Sequence, residues 1–70
     1  MNQNRVGEFR RKLGLTQVEL ARRTHIASTN LSSIECGRLL AWPKAKRRIA
    51  KALNIKVDEL FPSDGGENHV

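Results

Sequence analysis

The sequence predicts an all-α fold, five short helices around one core, and three observations carry that expectation. Apolar residues recur at spacings of three and four inside short stretches, and no stretch alternates apolar with polar as a strand does. Each stretch is bounded by a glycine, a proline or a capping Ser/Thr, the residues that stop and start helices. Seventy residues hold one hydrophobic core and not two.

The first helix is expected over Arg5 to Leu13, with Val6, Phe9 and Leu13 on one stripe and Gly14 closing it. Thr16 followed three residues later by Glu19 is a capping box, so a second helix should cover residues 16–23 and bury Leu20 and Ala21. Ala27 or Ser28 opens a third helix, about 27–36, with Leu31 and Ile34 inward and Gly37 at its end. Pro43 suits the first position of a fourth helix, where a missing N–H costs nothing. Its buried stripe would be Ala45, Ile49 and Leu53. Asp58-Glu59-Leu60-Phe61 makes a short fifth helix that Pro62 stops. Residues 1–61 thus form the domain. Residues 62–70, with Gly65-Gly66 and almost nothing apolar, read as a flexible C-terminal tail.

Charge narrows the partners. Thirteen Lys and Arg against seven Asp and Glu give a net charge of +6. Residues 1–61 hold all thirteen basic residues and five of the acidic ones, so the domain carries +8 and the tail −2. So basic a domain prefers polyanions. An amphipathic membrane binder would gather its apolar residues on one wide face; here they are divided among five helices, and no run approaches the roughly 18 residues needed to cross a bilayer. The N-terminal residues lack the apolar segment of a secretory signal, so a cytoplasmic location is expected. Cys36 is the only cysteine, which excludes an internal disulfide, and the two histidines do not form a metal module with it. No phosphate loop and no paired carboxylates mark a reaction centre, so neither an enzyme nor a cofactor is expected.

The second and third helices are joined by only Thr24-His25-Ile26, the short turn of a helix-turn-helix. Gly14-Leu15-Thr16-Gln17, Leu20-Ala21, the apolar turn residue Ile26, and Leu31-Ser32-Ser33-Ile34-Glu35 with Gly37 together resemble the phage repressor and Cro family of helix-turn-helix regulators. The run from Arg47 to Phe61 is similar to the family's fourth and fifth helices, so the resemblance covers residues 5–61. It implies a lambda-repressor-like DNA-binding domain whose third helix enters the major groove of double-stranded DNA. It also implies a repressor acting as a homodimer on a pseudo-palindrome with half-sites about one helical turn, roughly 10 bp, apart.

With Leu31 and Ile34 inward, Ser28, Thr29, Ser32, Ser33 and Cys36 face outward. Given the resemblance, Ser28, Thr29, Ser32 and Ser33 are the expected base contacts. Hydroxyls both donate and accept, and a Thr methyl packs on a thymine methyl, so short-range or water-mediated readout assisted by DNA shape is expected. Asn30, at the edge, would meet a phosphate or a base. The resemblance implies phosphate contacts from Gln17, Arg38 and Lys44, with Gln17 also supporting a residue of the recognition helix. Lys44 and Lys46 sit in the first turn of the fourth helix, where positive charge opposes the dipole; an external anion explains that, and so does a plain solvated lysine face. Arg10 and Glu35 correspond to a partly buried ion pair of the family, the alternative being two solvated charges.

Three features depart from the family pattern. His25 stands where glycine is usual, implying a positive φ: strained and solvated, or a pH sensor. Cys36 stands at a position that is usually polar, as an inert thiol or an oxidisable one. Leu39, Leu40 and Trp42 make an unusually apolar loop that either covers the core or, with Phe61 of the last helix, forms the dimer contact. The competing functional class is a protein whose main contact is another polypeptide, an antitoxin or a coactivator bridge; a restriction–modification controller is a further variant of the regulator.

Overall fold

The computed structural model describes residues 4–62 and is all-helical across them. In chain order the helices are α1 (Val6–Lys12), α2 (Gln17–Thr24), α3 (Ser28–Cys36), α4 (Pro43–Leu53) and α5 (Val57–Leu60). The tail expected over 62–70 lies, from residue 63 on, outside the described residues.

Element limits follow local chemistry. Thr16 is the N-cap of α2: its hydroxyl accepts from the Glu19 N–H at 3.1 Å, and the Glu19 carboxylate accepts from the Thr16 N–H at 2.8 Å. That bond holds the Glu19 carboxyl below its usual range. Thr24 extends α2 by one residue beyond the expected end. Its buried hydroxyl donates to the Leu20 carbonyl at 2.8 Å, so a polar side chain is sheltered without cost. α1 ends one residue early, at Lys12, so Leu13 leaves the apolar stripe and is 55% exposed, contrary to expectation.

The core is built by Val6, Leu20, Ile26, Leu31, Ile34, Ala45, Ile49, Leu53, Leu60 and Phe61, one or more from every helix or its flanking turn. α2 packs against both α3 and α4, and α4 in turn against α5 and α1, so α2 and α4 form the frame on which α3 rests. Ala21 is half-buried against this core. Phe61 is 2% exposed with the Lys46 ammonium 5.6 Å from its ring centroid. It is a core residue, and the expected dimer contact at Phe61 is corrected accordingly: no side-chain surface remains for a second copy.

Connections this short demand residues in the left-handed region. Gly14 (φ 72°) and Gly37 (φ 82°) close α1 and α3; His25 and Asn54, both at φ 58°, close α2 and α4. Asn tolerates this conformation well; His does so at a cost of about 1 kcal/mol relative to glycine. His25→Gly is therefore expected to raise the denaturant midpoint, by about 0.5–1 kcal/mol of unfolding free energy. A lowered midpoint would show that the imidazole contributes contacts that outweigh the strain.

On the exposed side of α1, Glu8 accepts from Arg5 Nε at 2.9 Å and lies 3.4 Å from the Lys12 ammonium. The Arg5 hydrogen bond holds the Glu8 carboxyl at about 2, against a usual 4.5. The folded value is the lower one, so the stabilisation is complete above 4.5 and is lost as pH falls toward 2. The melting-temperature gap between wild type and Glu8→Gln should accordingly close over that acid range; a gap indifferent to pH would remove this pair from the acid response.

Candidate nucleic-acid interface

α3 has two sides set by its sequence. Leu31 and Ile34 are fully buried. At about 100° per residue, Thr29, Ser32, Ser33 and Cys36 fall opposite them, with Ser28 and Asn30 at the margins. Ser28, Thr29, Asn30 and Cys36 are exposed, Ser32 and Ser33 half-exposed. The expected base-reading residues therefore share one small, hydroxyl-lined face. Cys36 is a free thiol on the same face. Neither α3 nor α4 has a side-chain N-cap, Ala27 and Trp42 occupying those positions. Their first-turn N–H groups keep open donor capacity, the arrangement that suits an anion.

Behind the C-terminal half of α3 lies the charged network of the domain. Arg10 of α1 donates from Nε to Glu35 Oε2 at 2.7 Å and from Nη2 to Oε1 at 3.2 Å. Its remaining Nη1 donates to the Leu15 carbonyl at 2.7 Å. Gln17 Nε2 adds a bond to Glu35 Oε1 at 3.1 Å. The side chains of Arg10 and Glu35 are 12% and 8% exposed, so the two-pronged pair is largely withdrawn from water. A pair so buried adds little net stability, but loss of one partner would strand a charge at about 3–5 kcal/mol. Its geometric effect is larger: one guanidinium joins α1, the α1–α2 turn and α3, and one carboxylate joins α1, α2 and α3. The negative charge of Glu35 is thereby neutralised beside the outer face of α3.

Gln17 thus bonds to α3 through one amide hydrogen, and its second N–H has no protein partner among the described residues. Arg38 and Lys44 are both exposed and flank the loop between α3 and α4. In that loop Leu39 is half-buried against the core and Ala41 is buried, while Leu40 and Trp42 are 65% and 41% exposed. Leu39 therefore covers the core, and Leu40 and Trp42 are left as exposed apolar side chains. At the far end of α2, Arg23, Thr24, His25, Arg48, Lys51 and Ala52 line an open concavity of about 480 Å³. Arg48 Nη1 reaches the Thr24 carbonyl there at 3.4 Å, and the surrounding cations complement the negative end of the α2 dipole.

Two contributors escaped the sequence reading. Gly7 lies inside α1, and a Cβ on it would stand 3.1 Å from Arg11 Nη1 and 3.2 Å from Glu35 Oε1. The missing side chain gives the Glu35 carboxylate its room. A glycine inside a helix costs up to about 1 kcal/mol against alanine, and that local penalty was the available signal. Asn4 donates from Nδ2 to the Ile34 carbonyl at 2.7 Å, a contact between residues 30 apart with no local sequence signature.

Comparison with known proteins agrees with this geometry. Residues 4–60 match a family model described as a helix-turn-helix domain. Two relatives from Archaeoglobus fulgidus, both described as uncharacterized HTH-type transcriptional regulators, are 33% and 32% identical over 63 residues. Those alignments cover 90% of this chain and 89% and 90% of the relatives' own lengths. All five helices fall inside the matched region, and the Gly14–Gly37 pattern is compatible with the phage repressor and Cro type. The chain belongs to the helix-turn-helix domain family.

Proposed function

We propose that the protein is a sequence-specific, double-stranded-DNA-binding transcriptional regulator, a repressor that acts as a homodimer on a pseudo-palindromic operator. The observation that carries this reading is the hydroxyl-lined outer face of α3, a helix with no side-chain N-cap whose orientation is held from behind by a neutralised ion pair. The helix-turn-helix family match and the regulators it aligns with support it.

In this reading Thr29, Ser32 and Ser33 meet base edges, with Ser28 at the margin of the reading face. Asn30, Arg38, Lys44 and the free amide hydrogen of Gln17 hold the sugar–phosphate backbone and set register. Direct readout through short hydroxyls forces close approach, so operator shape contributes a share of the discrimination. Leu40 and Trp42 supply the apolar part of the contact between the two copies. The same two side chains favour a second reading, in which a different polypeptide occupies that surface and completes the function.

Selection from a randomised duplex library at roughly 150 mM salt, with competitor DNA present, tests the proposal by suppressing counterion-driven binding. Enrichment of a two-fold-symmetric motif is expected. A flat outcome would leave basic, unselective binding or the partner-dependent reading. On the selected duplex, Thr29→Ala should reduce discrimination by about 1 kcal/mol or more; equal weakening on selected and random duplexes would take Thr29 off the reading face. Lys44→Ala should weaken all duplexes alike and lower the salt slope by about one unit. An unchanged slope would remove Lys44 from the phosphate contacts.

A further inference from the structure

Asn4 stands ahead of α1 and bridges two helix ends. Its Oδ1 accepts from the Val6 N–H at 3.1 Å, satisfying one of the donors that the first turn of α1 leaves open. Its Nδ2 donates to the Ile34 carbonyl at 2.7 Å. That carbonyl lies in the last turn of α3, where main-chain acceptors have no regular helical partner. The end of α3 itself supplies one bond, from the Gly37 N–H to the Ile34 carbonyl at 3.1 Å, while the Arg38 N–H turns to Ser33 at 2.9 Å. Asn4 therefore fills the second lone pair of the Ile34 carbonyl. Ile34 is fully buried and Asn4 half-buried, so water competes poorly for the bond.

The neighbours of Asn4 make this bond a reference point. The Arg5 N–H donates to the Leu60 carbonyl at 2.8 Å, so two consecutive residues tie the end of α3 to the end of α5. The next residue along α3 is Glu35, held through its side chain by Arg10 and Gln17. Side-chain and main-chain clamps thus converge on consecutive residues of α3, just after the outward pair Ser32 and Ser33.

We infer that Asn4 is a positioning residue for DNA reading: by holding the Ile34 carbonyl, it sets the tilt of the C-terminal half of α3 and so the approach of Ser32 and Ser33 to the groove. The inference rests on α3 being the recognition helix. Asn4 itself acts through α3.

The test uses the full chain and two variants that both retain an acceptor for the Val6 N–H. Asn4→Asp is isosteric but cannot donate to Ile34. Asn4→Ser is neutral and too short to reach it. Binding to the selected duplex and to a random duplex of equal length is measured at one salt concentration, with amide exchange followed at Gly37, Arg38 and Leu39 against the core amide of Ile49. Loss of one hydrogen bond predicts a selected-to-random affinity ratio reduced about fivefold in both variants, and exchange at those three amides accelerated about fivefold relative to Ile49. For Asn4→Ser the random-duplex affinity should stay within about twofold, because no charge has changed. A wild type that discriminates paired with variants that discriminate equally well would overturn the inference. So would a uniform loss on both duplexes with exchange accelerated everywhere, which would mark Asn4 as a residue of general stability. A wild type that discriminates nothing would instead remove the recognition-helix reading on which the inference stands.

Discussion

The Arg10 guanidinium is the joint of this small domain. Each of the five short helices contributes only one to four buried residues to the core, so directional bonds between helices add orientation that so few contacts supply weakly. Arg10 supplies direction where packing supplies only contact. Its planar fork accepts one orientation of the Glu35 carboxylate, and the remaining nitrogen is spent on the Leu15 carbonyl. Gly7 then becomes intelligible: a helix weakened at that residue makes room for the carboxylate that orients α3. Local propensity is sacrificed to tertiary geometry in a single residue.

The turns show the same economy of length. Four residues in the left-handed region reverse the chain after α1, α2, α3 and α4, two of them glycines. His25 carries the greatest local strain of the four, at the turn on which the angle between α2 and α3 depends. That strain is held in place by its surroundings: the His25 N–H is bonded to the Ala21 carbonyl, and Ile26 beside it is buried.

Much of this arrangement was legible in the sequence because it is written in local signals. The Thr16–Glu19 capping box, Pro43 at the start of α4, and glycine after α1 and α3 each act within a few residues. The inward residues of α3 followed from spacing alone. The pairing of Arg10 with Glu35 was not available from spacing; it came through family resemblance, and the structure supplies the bond lengths. Phe61 was expected at a dimer contact because the family resemblance puts that contact in the last helix, whereas here its ring is buried beneath Lys46. Asn4 was missed for a different reason. A side-chain amide reaching a carbonyl 30 residues away leaves no periodic trace. Leu13 shows the converse limit, a correct helix with the wrong last residue.

The outer stripe of α3 has a further consequence. Thr29, Ser32, Ser33 and Cys36 lie outside the core, while the orientation of α3 is held by Leu31, Ile34 and Glu35 on its other side. Side chains on that stripe can therefore be exchanged without disturbing the frame that presents them. Under the proposed reading of α3, the domain separates a holder from a reading head, and a few substitutions on one helix would change the target sequence while leaving the buried residues that hold α3 in place.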